Sequence, residues 1–319
     1  MLNRKYSYVF LILLFLSIVN SRPALARATA RSQAAPVSAY QELKGKFKID
    51  MEKWLKGPAG ELPDTISNLK LGLSASEYDF TDWENAPQGK GLILRQKNFT
   101  KKNLGQILEN DKGKIVTVAH TFKGETGDFI RAMLRYGKER YGPFFHEYDQ
   151  ENGMDNHHFK QLMSERGLSR SLVFVSGKDS LSVQVRQGVL LPRKDIEEPI
   201  QASLSKYFPD LKLEAYEENG VFNFYFKIWN ESISDAYFSK LLIFTAHSAA
   251  IEKALHPSLT DWTRSKAYFL FRDKAALGWI WTEDLAAIKD IKDANAQQQF
   301  VAKKFHNTLS YFANEYGKN

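Results

Sequence analysis

The sequence predicts an α+β fold: two small modules of antiparallel strands, each with helices packed on one face, following an N-terminal signal peptide. Three observations lead there. Short runs of apolar residues bounded by turn residues recur along the chain, as strands do. Between them lie segments whose apolar residues return every three or four positions, the period of an amphipathic helix. The chain has 319 residues and no cysteine, so packed cores, not disulfides, must stabilise it.

The first segment reads as an export signal. Arg4 and Lys5 form a basic head, and Tyr8 to Val19 is an apolar core of twelve residues, short of the ~20 that a spanning helix needs. Asn20 to Pro23 breaks the helix, and Ala24-Leu25-Ala26 supplies small residues for cleavage after Ala26. Residues 1–26 are therefore expected to be removed. No later stretch is apolar enough to span a bilayer, so no transmembrane segment is expected in the mature protein. The absence of cysteine excludes a lipid anchor at the cut and favours a bacterial periplasm, with secretion beyond the outer membrane left open. The formal charge of +7 falls to about +4 once Arg4, Lys5 and Arg22 leave. Basic and acidic residues are interleaved throughout, which argues against a nucleic-acid partner.

Residues 27–38 are small and polar and read as a flexible tether. From Ala39 the residues Tyr40, Leu43, Phe47, Met51, Trp54 and Leu55 recur at helical spacing, predicting one amphipathic helix within 39–60, stopped by Gly57-Pro58-Ala59-Gly60. Its lysine-rich outer face allows transient contact with the membrane surface.

The first α+β domain is expected over 61–170. Ser74 and Glu77 have the spacing of a capping box. Gly91 to Arg95 and Lys114 to Phe122 read as strands, and Glu125 to Tyr141 as a helix with Phe129, Ile130, Met133 and Leu134 in its buried stripe. The run Leu69-Lys70-Leu71-Gly72-Leu73-Ser74-Ala75-Ser76-Glu77, followed by strands and a helix ending near Tyr-Gly, resembles the opening of exported modules of the SmpA/OmlA type, outer-membrane assembly lipoproteins and related inhibitor-like domains. Leu73 and Tyr78 depart from the usual residues of that pattern, and the lipid-bearing cysteine is missing. The resemblance implies a non-catalytic module that holds or regulates protein partners.

The second domain is expected over 171–319. Leu172 to Val175 and Leu181 to Leu191 form a hairpin pattern, Asp195 to Phe208 a helix, and Leu211 to Tyr216 with Val221 to Trp229 a hairpin around Asn219-Gly220. A helix over 234–255, strands over 266–271 and 277–281, and a helical tail from Ala294 to Tyr316 complete it.

No nucleophile elbow or phosphate loop is present. His120 and His247 read as structural histidines. The segment from His146 to His158 gathers three imidazoles and four carboxylates in thirteen residues. In a metal-dependent envelope hydrolase, His146, Glu147, His157 and His158 would hold a divalent metal such as zinc. The spacing matches neither HExxH nor a calcium loop, and a solvated polar loop is the simpler reading. In a glycan-binding protein, Tyr225, Trp229, Trp279 and Trp281 would form an aromatic platform. The leading expectation is a non-catalytic periplasmic protein without cofactor that binds other envelope proteins.

Overall fold

The computed structural model describes residues 38–89, 92–125, 127–149, 153–205, 209, 211–218, 221–228, 264–271, 274–287, 290–304 and 306–307. The expected signal peptide, the tether up to residue 37, the Asn219-Gly220 turn, Trp229, His247 and the helix over 234–255 lie outside the described residues. The architecture is α+β, with largely antiparallel sheets. Among the described residues no helix is long and apolar enough to cross a membrane.

The single helix expected from Ala39 is two short ones. Helix α1 (Ala39–Gly45) is capped by Ser38, whose hydroxyl accepts from Gln41 N. Lys48 then enters the left-handed region at φ 60°, and Ile49 N donates to Leu43 O at 3.0 Å. Helix α2 (Met51–Trp54) follows at once. The reversal is stabilised by what it buries: Leu43 and Met51 are both fully inaccessible, and Phe47 packs edge-on against Phe129 at 5.2 Å. A straight helix would have kept the periodicity and lost this packing, so tertiary burial overrides the local pattern. Strands β1 (Leu55–Lys56), β2 (Thr65–Ile66) and β3 (Leu69–Lys70) then form a small antiparallel sheet. The capping box at Ser74 and Glu77 closes a single 3-10 turn, Ala75–Glu77.

Eight strands build the main sheet: β4 (Glu84–Gly89), β5 (Leu92–Thr100), β6 (Asn103–Glu109), β7 (Ile115–Lys123), β8 (Phe145–Asp149), β9 (Met154–Met163), β10 (Leu168–Ser176) and β11 (Ser180–Val189). They run in the order β4-β5-β6-β7-β11-β10-β9-β8, two meanders joined where β7 meets β11. Helix α3 (Gly127–Tyr141) links the meanders and lies on one face. Alternation supplies that face: Leu181, Val183 and Val185 of β11 and Leu172 and Phe174 of β10 are all fully buried, each worth about 1.5–3 kcal/mol. The boundary expected after residue 170 falls inside β10, which is paired along its length on both sides. The sheet therefore runs on to Val189.

A second sheet follows. Its strands are β12 (Leu191–Pro192), β13 (Leu211–Glu218), β14 (Val221–Ile228), β15 (Arg264–Phe271), β16 (Lys274–Trp281) and β17 (His306–Asn307), in sequential order. The β14–β15 pair is parallel, so the sheet is not wholly antiparallel as expected. Helix α4 (Lys194–Leu204) lies beside β13 and satisfies its edge with side chains: Leu213 N donates to Gln201 Oε1 at 2.7 Å and Ala215 N to Glu197 Oε2 at 2.9 Å. After α5 (Thr282–Ala287), helix α6 (Ala294–Lys304) ends earlier than expected, because His306 and Asn307 add to the edge of β16.

Gly137 sets the closeness of α3 to the sheet, since a Cβ there would lie 2.7 Å from Phe159 Cζ and 3.0 Å from Phe174 Cε2. In an open helix Gly→Ala would stabilise by about 1 kcal/mol. Here Gly137→Ala is expected to destabilise by about 1–3 kcal/mol, read as a lower urea midpoint. A raised midpoint would show that helix and sheet part freely.

Candidate functional site

The segment 146–158 is not a loop. It is the hairpin β8–β9, with His146 opposite His157 and Glu147 opposite Asn156. Alternation in a strand sends neighbours to opposite faces, and this splits the expected ligand set. His146 and His157 lie on the helix-covered face, ring centroids 4.9 Å apart, with His146 Nε2 2.8 Å from Asp155 Oδ1. Glu147 and His158 lie on the other face, 3.6 Å apart. The four side chains do not converge on one point, and among the described residues no group of three or more His, Cys, Asp or Glu is placed to hold a metal ion.

The face carrying Glu147 and His158 meets the second sheet. Lys266 Nζ reaches Glu147 Oε2 at 2.7 Å, and Lys160 pairs with Glu218, which also accepts from Ser169 Oγ. All four charged side chains are nine-tenths or more buried. Gly188 makes room, because a Cβ there would lie 2.1 Å from Glu218 Oε1. Phe145 packs edge-on against Tyr268 at 5.0 Å, and Tyr225 stacks on Tyr268 at 4.8 Å.

This contact also decides the fate of the expected aromatic platform. Tyr225 is buried beneath Lys160 and beside Tyr268, and burial pushes its hydroxyl well above the ordinary value. Trp279 is half-buried and Trp281 exposed, their rings 5.0 Å apart at a steep angle. These residues do not form one open surface. The other face of β14 is closed as well, with Phe222, Phe224 and Phe226 in the core. His120 is structural, packed among Trp54, Phe99 and Phe122, and burial lowers its pKa.

An open groove of about 880 Å³ lies at the other end of β9. One wall is the loop 57–63, the other the last turn of α3 with Tyr136, Arg140 and Tyr141, and Phe145 and Phe159 lie between them. The loop is tightly built: a Cβ on Gly57 would meet Pro63 Cα at 2.8 Å, and Gly60 needs φ 76°. It is fastened to the sheet by Gln161 Oε1, which accepts from Leu62 N at 2.8 Å, and by Arg170, which donates to Leu62 O and to Glu61, each at 2.9 Å. Strand β8 pairs only with residues 154–158 of β9. From Phe159 to Met163 the outer backbone edge of β9 therefore has no strand beside it among the described residues. Nothing in the sequence marked this groove, since its walls come from segments about 80 and 100 positions apart.

Burial pushes His157 down to about 4, helped by neighbouring His146, and pushes His158 well below its ordinary value, helped by Lys266. Both rings are thus neutral when folded, whereas the unfolded chain takes up protons near pH 6.5. Their contribution is intact above pH 6.5 and is lost as pH falls from there toward 4. The unfolding free energy, read from urea denaturation, is expected to drop over that window by at most about 1.4 kcal/mol per pH unit for each ring, and less steeply in His157→Phe. A flat profile from pH 7 to 4.5 would contradict the burial of both rings.

No family model matches the chain. It is 28% identical over 95 residues, 29% of its length, to the genome polyprotein of classical swine fever virus (strain Alfort/Tuebingen), and the match spans 2% of that polyprotein. A crystal structure from Bacteroides thetaiotaomicron VPI-5482 at 1.50 Å resolution aligns over 69% of this chain and 91% of the other at 11% identity, with a TM-score of 0.17 that defines no shared fold.

Proposed function

We propose that the chain is an exported, non-catalytic binding protein of the bacterial envelope, and that it captures an extended segment of another envelope protein in the groove beside β9. One observation carries this reading: from Phe159 the outer edge of β9 has no strand beside it among the described residues, and Phe159 to Gln161 of that edge line the groove between walls that are already fixed. An extended peptide laid along such an edge gains main-chain hydrogen bonds, and pockets for its alternate side chains add selectivity. Tyr141 and Pro143, half-buried, and Pro58 and Ala59, exposed, offer apolar surface for those side chains over a floor of buried Phe145 and Phe159, while Lys56, Arg140 and Glu52 mark the polar margins. Burial raises the pKa of both Tyr136 and Tyr141, whose hydroxyls are hydrogen-bonded to each other, which holds this wall in place. The loop wall is held before any ligand arrives, so little ordering entropy opposes binding. The resemblance of residues 69–77 to partner-holding envelope modules supports the same reading.

The test places a photo-activatable amino acid at Lys56 or Arg140 in the full chain expressed in its host, with Lys101, exposed and outside the groove, as control. Light-dependent adducts with a defined envelope protein are expected from the two groove positions, and Ala59→Trp, which fills the groove from its exposed rim, should reduce them at least severalfold. Adducts with a second copy of the chain, equal labelling from Lys101, or none from folded and exported protein would each overturn the proposal.

A further inference from the structure

A second cavity lies at the far end of the main sheet, and we propose that it is a binding site for a neutral pyranose sugar. The helix-covered face of this sheet is wider than the helices that cover it. Over β4, β5 and β6 the cover is instead the segment 74–83, which leaves an open cup of about 560 Å³, within the usual range for small-molecule sites. Its position follows from register. Asn85 of β4 stands opposite Arg95 of β5, and Glu109 of β6 stands opposite Ile93, one step along the same face.

The polar base of the cup is built but not saturated. Arg95 Nε donates to Glu109 Oε1, and Arg95 Nη1 donates to Asn85 Oδ1 at 3.0 Å. The guanidinium lies over the Phe80 ring, 5.4 Å from its centroid, which fixes its plane. Glu109 is only 3% exposed, yet its second carboxylate oxygen has no hydrogen-bond partner among the described residues. The same holds for Arg95 Nη2 and Asn85 Nδ2. That carboxylate oxygen is not among the enclosed unpartnered atoms, so it opens toward solvent through the cup. One open acceptor and two open donors therefore sit together at the base of a solvent-accessible cavity.

The wall is aromatic. Phe80 and Trp83 meet edge to face at 5.0 Å, with Tyr78 beside Phe80 at 5.8 Å. Gly105 makes room for the neighbouring ring Phe99, since a Cβ there would lie 2.5 Å from Phe99 Cε2, and Trp83 packs beside it with its Cη2 3.3 Å from that Cβ position. Planar groups that both donate and accept, placed next to ring faces, match a pyranose, whose hydroxyls do both and whose C–H face is apolar. Charge narrows the choice further. A ligand anion would meet Glu109 and a cation would meet Arg95, whereas a hydroxyl can accept from the guanidinium and donate to the carboxylate at once. This site is independent of the groove beside β9, and of the aromatic residues of the second sheet.

The experiment screens the purified full chain against a printed panel of neutral and acidic oligosaccharides, then titrates the strongest neutral binder calorimetrically. Binding of at least one neutral glycan is expected. It should weaken at least tenfold in Asn85→Ala, whose side chain is exposed and has no packing role, and in Trp83→Ala, and should persist in Trp281→Ala. Near-UV circular dichroism verifies that each variant is folded, and Asn85→Ala decides the matter if Trp83→Ala is not. No binding to any panel member, binding confined to acidic glycans, or affinity unchanged in Asn85→Ala would overturn the proposal. Groove adducts from Lys56 are expected to be unchanged in Asn85→Ala, so the two sites fail or succeed separately.

Discussion

Two lysine–glutamate pairs cross between the sheets in opposite senses: Lys160 of the first sheet with Glu218 of the second, and Lys266 of the second with Glu147 of the first. Burying an ion costs several kcal/mol unless a partner and hydrogen bonds compensate, so such pairs add little net stability. They act on register instead. A slip of one residue in either sheet would turn a lysine or a glutamate to the wrong face and leave its partner buried alone, which costs about 3–5 kcal/mol. The apolar residues around them, Phe145, Leu190, Tyr216 and Leu277, supply the burial. The charges select which of the possible sheet-on-sheet arrangements forms, and Gly188 is the space that the arrangement requires.

The groove depends on this contact. Phe145 and Lys160 belong both to the groove lining and to the interface between the sheets, so docking the second sheet fixes one end of the groove. The chain also treats its sheet edges unequally. Along β13 the backbone is closed by side chains, with Glu197 and Gln201 of α4 taking the place of a neighbouring strand. Along β9, beyond His158, the loop 57–63 is fastened nearby through Gln161 and Arg170, yet it adds no strand. An open edge is an aggregation hazard that folded chains normally blunt. The chain blunts one edge with dedicated side chains and walls another without filling it, and that inequality is the ground on which a partner is proposed for the second.

Local pattern revealed those parts of the fold that local pattern determines. The helix expected over Glu125 to Tyr141 is found as Gly127–Tyr141, the strand over Lys114 to Phe122 as Ile115–Lys123, and the capping box at Ser74 and Glu77 is formed. The break at Lys48 was hidden because apolar spacing continues through it, and only burial of Leu43 and Met51 together favours the reversal. The hairpin over 145–163 was hidden for the opposite reason. Its strands are polar, since one face carries the interface charges and the other the His146–Asp155 contact, so hydrophobic alternation has little to show. Both candidate sites rest on pairs joined by register. Arg95 and Glu109 are 14 positions apart, and Arg170 and Glu61 are 109.

Polar groups in this protein fall into three treatments, and the differences carry the functional argument. At the sheet interface the charges are paired with one another and nine-tenths or more buried, even where Lys160 borders the groove, which is the structural use of a polar group. Tyr225 is a harder case: its hydroxyl is enclosed and has no hydrogen-bond partner among the described residues, a defect worth about 1–3 kcal/mol that no ligand can reach to relieve. Glu109, Arg95 and Asn85 differ from both. They are partly paired with one another, which holds their geometry, and the capacity left over opens into a cavity with aromatic walls. Enclosed and unsatisfied groups are a cost of packing, whereas groups held in place and open to solvent, with hydrogen-bonding capacity that water fills, are the ones a ligand is proposed to engage. The edge of β9 belongs to the same class in backbone form, and that shared condition, not any catalytic constellation, is why both sites are assigned to binding.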